Sequence, residues 1–337
     1  MAKSNSLRGN NIFNNEEFIA NFKNSRIYTE LYQKHRDEII IGIRNSYINL
    51  YYNCDNIARI RAKKKKANGE LSVEINSYYT KDDNDLSKST TITRNESYVI
   101  DHYERIKKRS QDRKKLEKQA QEKLFLNNNL NLESKWYCID VEYTRPGKKD
   151  QWRFDLIAVS KDSPHRVALI ELKYGNRAIG GESGIRKHVK DFHDFWINNS
   201  FDELKPEILQ IIQSLQTIGV EMPDSISNIS SIDELSSFPE FYIITLNDNP
   251  DSPKGSSPKQ TMGGYLFKKD NNPWNSKKTS NVVGKEGDYY KIIGYDKSFL
   301  PRFLFSKTSL DDFKIRDIIE DSNYEFPRPE ILNKFNP

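Results

Sequence analysis

Between Trp136 and Leu246 the chain spells a fixed order of elements: three strands, two helices and a fourth strand. Trp136 to Tyr143, Trp152 to Val159 and Arg166 to Tyr174 are short, β-branched and aromatic. They are divided by Arg145–Asp150 and Lys161–Pro164, both rich in turn formers. Gly180–Gly184 then opens a helix, with Ser183 the expected N-cap and Ile185, Val189, Phe192 and Trp196 its apolar stripe. A second helix carries Leu204, Ile208, Ile211, Ile212, Leu215 and Ile218, and Phe241–Leu246 reads as a buried strand. The first three strands can form a meander. The fourth can join the sheet beside the third after crossing back through the helices.

Three polar residues intrude into this apolar framework. Asp155 interrupts Phe154–Val159, and Glu171 and Lys173 interrupt Val167–Tyr174. Strand side chains alternate, so Glu171 and Lys173 point the same way and Leu172 points away. Such groups are costly to bury without partners or a metal. If the second and third strands are neighbours, Asp155 comes beside Glu171, and two carboxylates and an amine share one hollow. Hard oxygen ligands suit Mg²⁺ or Mn²⁺ rather than Zn²⁺, with the Leu172 carbonyl a further candidate ligand. In such a site a cation stabilises phosphate charge and activates water, while lysine orients that water and neutralises the transition state. The plainer alternative is a structural Glu171–Lys173 ion pair at a sheet edge, with Asp155 capping a turn.

Arg153-Phe154-Asp155 and Glu171-Leu172-Lys173 resemble the signature of the PD-(D/E)XK, or restriction-endonuclease-like, nuclease superfamily. The spacing, 171 − 155 = 16 positions, suits strand, turn and strand. Phe154 stands where the family name has proline. The resemblance covers roughly residues 100–246. It implies an α-β-β-β-α-β core with a mixed sheet flanked by helices, and metal binding by Asp155 and Glu171 with Lys173 assisting hydrolysis. Many members add a glutamate from the helix before the first strand. Glu117 is the better candidate there, Glu122 falling on the opposite side; Glu142 on the first strand is a rival and the preferred one, with Asp140 on its face. The glutamine-tyrosine motif of many exonucleolytic members is replaced by His188 and Phe192, which weakens a processive exonuclease reading.

The flanks divide the chain into an accessory β-rich segment (1–97), the core (98–246) and a loop-rich extension with strands and a final helix (247–337). Ile39–Arg44 and Tyr47–Tyr52 predict a hairpin, which Ile57–Arg61 and Leu71–Ile75 extend into a meander around the solvated run Lys63–Lys66. Residues 80–97 read as loop. Helical spacing then runs from Tyr98 to Leu126, interrupted at Ser110 and Arg113 and ended by Asn127–Asn129. Gly263–Phe267 reads as a strand start, Tyr289–Tyr295 and Phe299–Phe305 as strands, and Ser309–Ile319 as a last helix.

Net charge is +5, which permits nucleic-acid contact without demanding it. Arg186, Lys187, His188 and Lys190 could face a phosphate backbone or form an exposed polar face. Two cysteines, Cys54 and Cys138, exclude a disulfide framework and a four-cysteine zinc site. The histidines show no metal-ligand spacing. No run is long and apolar enough to span a membrane, and the first residues lack an apolar signal core, so a cytoplasmic protein is expected.

The site residues and the resemblance together predict a Mg²⁺- or Mn²⁺-dependent nuclease acting on DNA rather than RNA, an endonuclease, and the resemblance implies bacterial antiviral defence, restriction or repair as its setting. It would act as a homo-oligomer or with a partner protein of a defence system. The alternative is a non-catalytic nucleic-acid-binding or protein-interaction module on the same fold.

Overall fold

The computed structural model describes residues 16–44, 46–62, 71–83, 91–145, 152–175, 178, 184–247, 299 and 301–310, with short strand pieces at 284–286, 289–291 and 325–326. Lys63–Lys66, Gly180–Ser183, Gly263–Phe267 and the expected last helix beyond Leu310 lie outside these residues.

The architecture is mixed α and β. In chain order the elements are α1 (Glu16–Lys23), β1 (Ile40–Ile43), β2 (Ile48–Tyr52), β3 (Asp55–Ala62), β4 (Leu71–Asn76), β5 (Thr91–Arg94), α2 (Glu96–Asp101), α3 (Tyr103–Asp112), α4 (Leu116–Leu130), β6 (Trp136–Thr144), β7 (Arg153–Ser160), β8 (His165–Tyr174), α5 (Ile185–Ile197), α6 (Ser200–Ile218), α7 (Asp224–Ser227), β9 (Leu235–Leu246), β10 (Gly284–Glu286), β11 (Tyr289–Lys291), β12 (Arg302–Phe305) and β13 (Glu325–Phe326). They fall into two compact units. One comprises Met1–Leu132, Tyr137–Val141 and Leu204–Glu234; the other comprises Glu133–Trp136, Glu142–Glu203 and Leu235–Pro337.

The first unit is built on β1–β5, an antiparallel sheet whose strands lie in sequence order. Its β1–β2 hairpin and the β3 and β4 extensions follow the alternation of the sequence. β5 does not, because Thr91–Arg94 offers a single buried apolar residue, Ile92, and reads as loop. Backbone pairing with β4 from Val73↔Arg94 to Asn76↔Thr91 supplies what the side chains lack. The helical stretch breaks close to the expected place, between α3 and α4, where Lys114 takes a left-handed φ of 49°. α4, by contrast, runs through Asn127–Asn129 to Leu130. There Asn128 bonds back to the Leu124 carbonyl at 2.7 Å, and the Asn129 amide holds both Cys138 N–H (2.7 Å) and Cys138 C=O (2.8 Å). Partners for these side chains remove their usual tendency to end a helix. In α6 the whole predicted stripe from Leu204 to Ile218 is buried. The helix stops at Gly219, whose φ of 96° lets its N–H and that of Val220 close onto Leu215 C=O.

The second unit carries a six-stranded mixed sheet in the order β13-β12-β9-β8-β7-β6; the ends of β6 count with this unit and its middle with the first. β7 and β8 are antiparallel, while β8–β9 and β9–β12 are parallel. A parallel pair needs a long crossover, and the chain between β8 and β9 holds α5 and α6. β8 is therefore interior to the sheet, which explains its nearly continuous apolar run. α5 starts after Gly184, in the cap position one residue later than expected. Phe192 and Phe195 pack on Phe154 and Phe241, with centroids 5.1–6.1 Å apart. Phe195 is fully buried although the predicted stripe left it out, while Trp196 lies only half-buried against Phe238 and Phe241. Each such ring removed from water contributes about 2–3 kcal/mol. This aromatic layer anchors the helix that approaches β8.

Among the described residues no helix is long and apolar enough to cross a membrane.

Candidate metal centre

Asp155 is the third residue of β7 and Glu171 sits inside β8. The paired register ends at Leu156↔Ile170, and Asp155 and Glu171 are the next residue on each strand. Their carboxylates offer oxygens within 4.8 Å of one another, a separation that one divalent ion can bridge. The two groups thus lie on the same side of the sheet.

Each carboxylate is held by a different device. Asp155 Oδ2 accepts the Leu172 N–H at 2.8 Å, so a side chain takes a place that backbone would fill in a regular ladder. Amide and carbonyl of one strand residue face the same neighbour, so the Leu172 carbonyl turns towards β7 as well. Glu171 Oε1 receives two donors, Lys173 Nζ at 2.5 Å and His188 Nε2 at 2.9 Å. Asp155 Oδ1 and Glu171 Oε2 carry no hydrogen bond among the described residues.

The electrostatics separate the pair. Burial raises the Asp155 carboxyl well above the usual carboxylate range, and the charges of Glu171 and then Glu142 push it further; Lys173 opposes them. Burial also pushes Glu171 upward, but the His188 hydrogen bond and the Lys173 charge outweigh it and hold Glu171 below the usual range. Ionisation of Glu171 is thus favoured and that of Asp155 beside it disfavoured. Two facing acids that resist ionising together form a site that added positive charge would relieve.

Glu142 acts on Asp155 through its charge. It has a left-handed φ of 53° inside β6, which breaks the two-residue alternation used to assign its face. Asp140 was expected to share that face. It is fully buried in the first unit instead, 2.8 Å from Arg44 Nη1. Glu117 stands in the first turn of α4, half-buried, in the first unit. Glu122, also in α4, is buried and accepts the Cys54 N–H at 2.9 Å. Lys187 and Lys190 are exposed on α5, and each pairs with the acid one turn on, Asp191 and Asp194. The Arg186 side chain lies outside what the structure describes.

His188 is the site residue whose place the sequence reading gets wrong: grouped with Arg186, Lys187 and Lys190 as backbone-facing or exposed, it turns to Glu171 instead. It sits in the first turn of α5 and is 17 positions from Glu171. Its four-residue spacing to Phe192 does not point to this contact.

A scan against protein-family models and searches of curated proteins and of solved structures return no match for the chain.

Proposed function

We propose that the chain is a divalent-cation-dependent nuclease hydrolysing phosphodiester bonds of DNA, built on a restriction-endonuclease-like core. The observation that supports this most is the facing of Asp155 and Glu171 from adjacent antiparallel strands, with Lys173 two residues beyond Glu171. The element order from α4 through β6, β7, β8 and α5 to β9 agrees with the α-β-β-β-α-β order the resemblance implies. The donors are hard oxygens, which fit Mg²⁺ or Mn²⁺. When bound, the cation would offset charge on the scissile phosphate and make water a better nucleophile.

The chain's own residues then have distinct tasks. Asp155 and Glu171 would hold the cation, with Glu142 the third carboxylate whose charge acts on Asp155. The Leu172 carbonyl would add a neutral oxygen. Lys173 supplies an ammonium that neutralises the extra negative charge as water adds to phosphorus. One P–O ester bond then breaks, leaving a phosphomonoester and an alcohol. Lys187 and Lys190 on α5 would exchange their carboxylate partners for the flanking phosphates, and Arg186 of the same helix would join them. The DNA preference, the endonucleolytic mode and a role in restriction, defence or repair rest on the resemblance alone. So do a homo-oligomeric state or a partner protein.

One observation favours a second reading, a non-catalytic binding or interaction module. The Glu171–Lys173 pair is closed and buried, as a structural ion pair would be. That reading does not account for Asp155 facing Glu171 at the expense of its own ionisation. Incubating the purified chain with plasmid and single-stranded DNA in Mg²⁺, Mn²⁺ or EDTA tests the choice. Cation-dependent cleavage that Asp155→Ala abolishes supports the nuclease. Cleavage that survives Asp155→Ala, or none with any cation, removes it.

A further inference from the structure

We propose that His188 is a positioning residue that fixes Glu171 as a one-oxygen ligand, an inference that rests on the metal-site reading above. Glu171 Oε1 is taken twice, by Lys173 Nζ at 2.5 Å and His188 Nε2 at 2.9 Å. The donors come from different elements, one along β8 and one from the first turn of α5. A single donor leaves a carboxylate free to swing about it; two donors converging from different directions fix its plane. A carboxylate oxygen only accepts, so His188 Nε2 carries the proton in this contact.

This clamp has a consequence for cation choice. With Oε1 engaged, Glu171 offers only Oε2. At Asp155 the Leu172 N–H takes one lone pair of Oδ2 and leaves Oδ1 the more available oxygen. Glu171 thus gives one oxygen and Asp155 offers Oδ1 first. A small octahedral cation such as Mg²⁺ or Mn²⁺ accepts that arrangement and fills its remaining positions with water, carbonyl and phosphate. Ca²⁺, which takes six to eight oxygens and favours bidentate carboxylates, is disfavoured. His188 thereby acts on affinity and on selectivity without touching the cation.

The test is calorimetric titration of the full chain with MnCl₂ and with CaCl₂. The proteins are the unaltered chain, His188→Ala, His188→Gln and His188→Leu, with Asp155→Ala as control and thermal melting to verify folding. His188→Ala is expected to weaken Mn²⁺ binding by about 10- to 100-fold. It should also narrow the Mn²⁺-to-Ca²⁺ ratio, because a released Glu171 can bind through both oxygens. His188→Gln keeps an N–H donor and is expected to restore most of both. If His188→Ala does not fold, His188→Leu against His188→Gln makes the same comparison of bulk with and without a donor. Unchanged Mn²⁺ affinity and ratio in the folded His188 variants, while Asp155→Ala loses binding, overturns this inference and leaves the metal site standing. Equal losses in His188→Gln and His188→Leu overturn it too, since packing would then be the cause. No Mn²⁺ binding by the unaltered chain, or equal binding by Asp155→Ala, overturns the site and the inference together.

Discussion

Lys173 reaches back along its own strand to meet Glu171 at 2.5 Å, with both side chains 4% exposed. An opposite-charge pair two residues apart on a strand is ordinary at a sheet edge. Here it sits in β8, between β7 and β9, where both faces of the strand are covered. Burying the pair costs several kcal/mol per ion, returned only if geometry and further hydrogen bonds are good. The His188 contact supplies one such bond. Asp155, set against the same glutamate, adds a like charge that a purely structural design would omit.

That conflict predicts a stabilising but inactivating change. Asp155→Asn retains an oxygen to accept the Leu172 N–H and replaces the ionisable carboxyl facing Glu171 with a group that never charges. In the absence of divalent cations at neutral pH it should raise stability by on the order of 1 kcal/mol, as when a strained functional site is neutralised. Cation-dependent cleavage should fall to background. Urea unfolding in EDTA beside a plasmid assay checks both halves; an Asp155→Asn protein less stable than the unaltered chain would refute the repulsion.

Breaking the Glu171–Lys173 pair should go the other way. Lys173→Ala leaves the glutamate buried with His188 as its remaining partner, and a loss of about 3 kcal/mol is expected. Adding Glu171→Ala should cost much less than its own single effect, because the stranded charge is gone. A double-mutant cycle by urea unfolding should yield a coupling of 1–3 kcal/mol, by the usual range for contacting residues. Additive losses would mean the two residues act independently.

How far these features can be read from the chain follows from what produces a repeating pattern. Burial does: the stripe of α6 and the bounds of β6–β8 are visible because every second or every third-to-fourth residue must be apolar, whereas β9 begins at Leu235, ahead of the apolar run Phe241–Leu246 that announces it. Asp155, Glu171 and Lys173 stand out as exceptions to such a pattern. His188 does not, since it lies among the polar residues of α5 and its partner is on another element. β5 leaves little trace because its pairing with β4 is carried by backbone. The left-handed backbone at Glu142 is invisible for a further reason: neither glycine nor asparagine marks it. Asn127–Asn129 misleads because its side chains find partners that isolated propensities cannot anticipate.

Asp140 provides a control for the candidate centre. Arg44 donates to Asp140 Oδ1 at 2.8 Å, to the Tyr51 hydroxyl at 2.7 Å and to the Val141 carbonyl at 2.7 Å, all within the first unit. Asp140→Ala would strand that buried guanidinium and should cost about 3–5 kcal/mol. Mn²⁺ affinity of the fraction that remains folded should not change. Chemical denaturation followed by titration separates the two effects, and a selective loss of Mn²⁺ binding at full stability would place Asp140 in the cation site.

Glu122 gives the chain a pH dependence of its own. Burial in α4 lifts its carboxyl from 4.5 to about 7, with the Cys54 N–H opposing the rise and the charges of Glu38 and Asp55 adding to it. A carboxyl that binds its proton more tightly when folded stabilises the folded state in acid. The contribution is complete below 4.5 and is lost as pH rises through about 7. At roughly 1.36 kcal/mol per unit, the swing is about 3 kcal/mol. Glu122→Gln keeps an acceptor for the Cys54 N–H and never ionises. Its stability should match that of the unaltered chain near pH 4.5 and exceed it at pH 8, a gap that urea unfolding across this range would resolve. Parallel curves for the two proteins would show that Glu122 titrates normally.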